Sequence, residues 1–347
     1  MSAPTDAPMT NDRQFVELTF EAVLGRKPDP AALEYGLAIV STSGGARRYV
    51  SELLTAEETV TRRTQAKTSP QFVHPGHYYS PVCDVAELQR SRFLEAVPNR
   101  KIDGIDLRTE QQEELFLKFA AHFPAICFPE NATSGHRYFT NNDFYNVGDA
   151  TILASFIREF RPRRIVEVGS GFSSAVILDT LDEISADTGS QTQCTFVEPY
   201  PDRLRGLLKT GDTGRVTIHE AGVQNVDKTL FTSLQSNDIL FLDTTHISKT
   251  GSDVNYEVFE ILPHLAPGVI VHFHDFFHNF EYPKVWVIDD NRSWNEIYLL
   301  RAFLMFNDAY EIMFFNHHFA IERPTLANER HSGYAGHPGG GLWLRRR

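Results

Sequence analysis

At 347 residues, with 41% hydrophobic and 22% charged side chains, the chain is long enough for about two domains, and its composition excludes a disordered or fibrous protein. Thirty-three basic against 45 acidic residues leave a formal charge of −12, which opposes sequence-independent attraction to nucleic-acid phosphates or to an anionic membrane. Cys83, Cys127 and Cys194 form neither a disulfide framework nor a Cys-x-x-Cys pair, no apolar run approaches the roughly 18 residues of a membrane span, and the polar N-terminus lacks a secretory signal, so the expectation is a cytoplasmic protein with no membrane span.

Residues 1–12 are small and polar and read as a disordered tail. Over 13–65 apolar residues recur at helical spacing, broken by Gly25 and Pro28-Asp29-Pro30, which predicts a small α-helical module with Phe15, Val16, Phe20, Val23 and Leu24 as its buried stripe. The run Val23 to Pro30 resembles a short helical repeat of unknown function appended to bacterial glycan-related and surface-associated proteins. Residues 66–135 read as linker and lead-in helices. Within them His74 and His77 lie among turn residues and read as surface or packing histidines, and the pattern turns helical over 107–123. A polar and aromatic stretch over 135–145 then leads into a helix near 150–160.

From 163 onward strands and helices alternate. Strands are expected at 164–168, 194–198, 216–219, 239–243 and 269–274, with helices at 174–181, 203–208 and 254–265 and a loop insertion over 185–193. These strands are apolar throughout, the mark of a parallel sheet covered on both faces, so 136–347 is expected to be a doubly wound, Rossmann-like α/β domain. The runs at 310–315 and 341–344 are placed at one edge of the sheet as a hairpin-like, antiparallel pair. A ligand belongs at the carboxyl ends of the strands.

The first strand ends in Glu167-Val168-Gly169-Ser170-Gly171-Phe172-Ser173-Ser174. Its glycines let the chain turn sharply and bring amides to a ligand at a helix N-terminus. Ser174 stands where a dinucleotide site carries a third glycine, and Glu167 would repel a pyrophosphate but suit a cationic ligand. Glu198, ending the second strand, is placed for the hydroxyls of a ribose, and Val223-Gln224 for an adenine.

This Glu-x-Gly-x-Gly turn, the acidic end of the second strand and Asp243 ending the fourth resemble class I S-adenosylmethionine (SAM)-dependent methyltransferases, over about residues 140–345. The segments Phe241–His246, His272–Asp275 and Trp294–Glu296 are similar to a bacterial branch grouped with metal-assisted O-methyltransferases. The resemblance implies SAM held by Glu167, Gly169, Gly171, Ser173, Glu198, Gln224 and Asp243. It also implies a divalent metal (Mg, Mn, Fe or Zn) on Asp243, His274 and Asp275. His246, His274 and Asp243 are the candidate catalytic residues, with either histidine able to take an acceptor proton without a metal.

The aromatic segment 276–294 is expected to cross the mouth of the site, with Tyr282, Trp286 and Trp294 as acceptor contacts. The expected activity is methyl transfer to a hydroxyl of a sugar, glycan or small secondary metabolite. Two alternatives remain at this point. The pair His272 and His274 with Asp275 is the ligand set of a non-heme iron oxygenase or a metal-dependent hydrolase, and a targeting protein with a degenerate domain is the other.

Overall fold

A computed structural model describes residues 7–24, 27–56, 72–96, 101–189 and 191–347, in two compact units that divide between Cys83 and Asp84. In the first unit, helices α1 (Ala7–Leu24), α2 (Pro30–Val40) and α3 (Gly45–Thr55) close on Val16, Phe20, Leu24, Ile39, Tyr49 and Leu53. Pro30 starts α2 with its φ already helical, and Asp29 Oδ1 caps it by accepting from Ala32 N at 2.9 Å. Gly36 lets α1 approach, since a Cβ there would lie 2.6 Å from Val16 Cγ1. Of the expected stripe, Phe15 is exposed, because residues at 16, 20 and 24 share one helical face and 15 stands about 100° away from it. Helix α1 begins at Ala7, inside the stretch expected to be a tail. The rest of that tail, residues 1–6, together with Gly25 and positions 57–65 of the expected module, lies outside the described residues.

The second unit is a seven-stranded sheet of order β3-β2-β1-β4-β5-β7-β6, built from β1 (Arg164–Val168), β2 (Gln193–Val197), β3 (Val216–His219), β4 (Ile239–Leu242), β5 (Ile270–Phe273), β6 (Tyr310–Phe315) and β7 (Leu342–Arg346). The first five are parallel, and every residue of β4 and β5 is buried, as two-sided helix cover requires. β7 runs antiparallel and is inserted between β5 and β6, which leaves β6 at the edge. Strand order reverses between β1 and β4, and that switch point faces the candidate site.

Helices α4 (Thr109–Ala120) and α5 (Val147–Phe160) join the same core, with Phe116 and Phe119 of α4 meeting Phe314 of β6 and Phe156 of α5. The described residues of 84–135 therefore belong to the sheet unit. Helix α6 (Phe172–Thr188) runs on into the first part of the expected loop insertion and stops at Gly189, whose φ of +68° is the left-handed conformation glycine tolerates. The helix expected over 254–265 breaks into an α turn, a π turn at Glu257–Ile261 and a 3-10 turn at Leu262–His264, because Pro263 removes a donor and its ring collides with the preceding turn. Arg137 is buried against Asp179, Asp182 and Asp212, fixing the segment before α5 to α6. Among the described residues no helix is long and apolar enough to cross a membrane.

Candidate active site

The turn after β1 is held from beneath by Glu167. Its carboxyl is fully buried and accepts hydrogen bonds from Ser173 Oγ (2.5 Å) and Ser174 Oγ (2.6 Å), while Ser174 Oγ also accepts from Gly171 N at 3.1 Å. Burial pushes the Glu167 pKa up to about 8, against the two serine bonds that lower it. Glu167 is thus a brace for the turn, and the structure withdraws it from the cofactor-facing role expected from its charge. Gly169 is required twice over. Its φ is +82°, and a Cβ would sit 1.8 Å from the Asp243 carbonyl oxygen, so this glycine lets the ends of β1 and β4 meet.

Above the turn lies a cleft of about 230 Å³ walled by Phe144, Gly169, Gly171, Ser173, Glu198 and Asp243. Glu198 spans its edge, accepting from Ser170 N and Tyr200 N, each at 2.9 Å. Arg203 lies over the Phe144 ring at 4.1 Å and closes one side. Gln224 is exposed and donates to Gly251 O at 3.0 Å, and it does not line this cleft.

A second cleft of about 250 Å³ shares Phe144 and Tyr145 with the first and is walled by Asp149, His274, Asp275 and Trp286. Asp149 lies in the first turn of α5, which Asn146 caps by accepting from Gly148 N and Asp149 N, and it falls just outside the helix expected near 150–160. Its carboxylate accepts from Asn146 Nδ2, Asn316 Nδ2 and the amides of Gly340 and Gly341. Burial raises it to about 6. The only sequence trace was the pairing of Asn146 with Asp149 three residues on, since the glycines that grip it arrive from 190 residues away.

The expected metal set is rearranged. Asp243, His246 and Asp275 converge, with ligand atoms within 4.8 Å of one another: His246 Nε2 is 3.5 Å from Asp243 Oδ1 and 3.3 Å from Asp275 Oδ2. His246 Nδ1 meets the buried Glu296 Oε2 at 2.8 Å. Burial alone would depress the His246 pKa, but its bonds to Asp243 and Glu296 outweigh that and raise it well above the ordinary value. His246 and Asp275 both adopt positive φ, +58° and +63°, a strain characteristic of working sites. His274 takes a different place from the one expected. Its ring meets Tyr145 edge-on at 5.1 Å, its Nε2 is 3.8 Å from Asp149 Oδ2, and its Nδ1 has no hydrogen-bond partner. Burial opposes its charged form, yet Asp243, Asp275 and Asp149 together raise its pKa.

His272 is core. It lies between Phe241 (4.0 Å) and Trp343 (4.3 Å), and burial holds its pKa well below the usual value, so the iron ligand pair expected from His272 and His274 does not form. Of the aromatic candidates, Trp286 lines the second cleft and Trp294 stacks on His246 at 4.4 Å. Tyr282 is buried and its hydroxyl accepts from Ile297 N, so it packs beneath the loop.

Residues 166–276 match the family model described as a methyltransferase domain. An uncharacterized protein of Archaeoglobus fulgidus is 32% identical over 171 residues, 48% of this chain and 75% of that protein. Among solved structures, the S-adenosylhomocysteine (SAH)-bound methyltransferase PaMTH1 of Podospora anserina is 16% identical with a TM-score of 0.37, covering 75% of this chain and 96% of its own. An SAH complex of an O-methyltransferase from Bacillus cereus is 12% identical with a TM-score of 0.37, covering 76% and 100%.

Proposed function

Because this chain belongs to the class I SAM-dependent methyltransferases, we propose that it methylates a hydroxyl of a polyhydroxylated small molecule or sugar unit. SAM occupies the cleft over Gly169 and Gly171, and the acceptor occupies the neighbouring cleft. The observation that carries this reading is that the two clefts meet at Phe144 and Tyr145, with Asp243 lining one and Asp275 the other. Trp286, Asp149 and Asn146 line the second cleft together, an aromatic ring with polar groups that suits a ring carrying several hydroxyls.

In this reading the acceptor oxygen attacks the sulfonium methyl in line, the carbon–sulfur bond breaks, and SAH leaves. The acceptor proton passes to His274 Nδ1. Asp149 and Asp275 stabilise the imidazolium that results, which is why the surrounding carboxylates strengthen the base. Asp243, His246 and Asp275 also fit a divalent cation, because Glu296 orients the imidazole from Nδ1 and leaves Nε2 facing both carboxylates. When bound there, such an ion would lower the pKa of an acceptor hydroxyl.

Calorimetry with SAM, then mass-shift screening of polyols, sugars and phenols, tests the proposal. SAM binding retained in His274→Asn with methyl transfer reduced on the order of 10²-fold or more is expected. Absence of SAM binding by the wild type, or full turnover by His274→Asn, would reject it. Turnover with and without a chelator decides the part played by the cation.

A further inference from the structure

A second cluster of donor atoms lies on the far side of the Asp275 turn, outside both clefts. His278 follows β5 in a short turn, and His318 and Glu322 lie four residues apart on helix α7 (Asn316–Glu322), hence on one face of it. Ligand atoms of the three lie within 4.8 Å of one another. The two imidazoles face each other Nδ1 to Nδ1 at 3.1 Å, with rings at 18° and centroids 5.2 Å apart. Bonds of about 2.05 Å to a tetrahedral zinc place two donor nitrogens roughly 3.3 Å apart, close to this spacing.

The outer contacts suit ligation as well. His318 Nε2 is 3.2 Å from Thr109 Oγ1, a hydroxyl that can accept the Nε2 proton and leave the Nδ1 lone pair aimed at His278. His278 is itself anchored, its backbone N–H donating to His317 Nδ1 at 2.9 Å. The turn it sits on holds Asp275, Asn279 and Phe280 at φ of +63°, +64° and +52°, a backbone that needs a firm restraint. Glu322 is exposed, which leaves a coordination position open to water.

We propose that His278 Nδ1, His318 Nδ1 and the Glu322 carboxylate form a second divalent-metal site of the zinc type, which ties the Asp275–Phe280 turn to α7. Two imidazoles and one carboxylate favour Zn²⁺ or Co²⁺ over Mg²⁺, in contrast with the oxygen-rich Asp243, His246 and Asp275 centre. The site reaches the acceptor cleft through Phe277, which lines that cleft and packs edge-on against both Trp286 (5.0 Å) and His317 (5.5 Å). Occupancy would therefore fix one wall of the cleft. This inference stands apart from the methyl-transfer reading and survives if that reading fails.

The test uses the full chain, stripped with chelator and titrated with Zn²⁺ alone by calorimetry, with Co²⁺ absorption as a report of tetrahedral ligation. Asp243→Asn, which disables the other centre, should keep one zinc equivalent and the Co²⁺ bands. His318→Ala and the surface change Glu322→Gln should each weaken that binding about 10- to 100-fold while far-UV circular dichroism stays unchanged. If Asp243→Asn binds no zinc, or if Glu322→Gln and His318→Ala in the Asp243→Asn background bind as tightly as their parent, the cluster is only a hydrogen-bonded imidazole pair and the proposal is overturned.

Discussion

Replacing Glu167 by Gln tests whether the turn beneath the cofactor cleft is held by a neutral acid. In the folded chain this carboxyl titrates at about 8, and its ordinary value is 4.5, so the folded state binds its proton more tightly than the unfolded state does. A raised pKa stabilises the fold fully below about pH 4.5, and that contribution is lost progressively as pH rises to about 8. The difference of about 3.5 units corresponds to roughly 5 kcal/mol between the two ends of the window, and about 3 kcal/mol of it is already lost at pH 7. Glutamine has the shape of the protonated acid and cannot ionise. Like that acid it presents one acceptor and one donor to Ser173 and Ser174, whose hydroxyls can turn to suit. Wild type and Glu167→Gln should therefore unfold alike near pH 4.5 and diverge above it, with the variant several degrees more stable at pH 8. Thermal and urea unfolding at half-unit pH steps measures this directly. Parallel curves across the window would show that Glu167 is ionised in the fold, and the account of the turn as braced by a neutral acid would be wrong.

Gly169→Ala should unfold more easily by at least 2 kcal/mol and lose SAM binding by calorimetry, because its Cβ would enter the Asp243 carbonyl and its φ is left-handed. Gly171→Ala has no atom within 3.7 Å of its new Cβ and should fold normally, which makes it the control. Removing the Glu296 carboxylate with Glu296→Gln should weaken any divalent cation at the Asp243 centre about 10- to 100-fold, read by metal titration, with SAM affinity unchanged. Arg137→Met should cost on the order of 3–5 kcal/mol in urea unfolding. It would strip the buried Asp179 and Asp212 carboxylates of their shared cation, leaving Asp179 with Lys209 at 3.6 Å and Asp212 with Arg215 at 2.8 Å, and restoring a cation with Arg137→Lys should recover only part of that.

Much of the sheet was legible in the sequence because its strands are short, largely apolar runs between turn residues, and β1, β3 and β6 fall where those runs lie. The glycine turn was legible for the same local reason, since close approach of backbone leaves its mark as glycine. Helix interruptions were harder. The helix expected over 254–265 runs across Pro263, which breaks it, the π turn before that proline depends on packing, and Gly189 rather than Ser185 stops α6.

The acceptor side could not be read from spacing. His246 was singled out, yet nothing near it in sequence names Glu296, fifty residues on, as the group that orients its ring. His272 and His274 stand two residues apart at the end of β5, and the structure separates their fates by layer: one is sandwiched between Phe241 and Trp343, the other reaches the cleft. Asp149 depends on glycines 339–341, which only β7, inserted beside β5, can deliver. Local chemistry, the caps, turns and apolar runs, is written residue by residue and the sequence by itself determined it. Which carboxylate faces which imidazole is set by strand order, because groups more than a hundred residues apart meet only when the sheet brings its strand ends together.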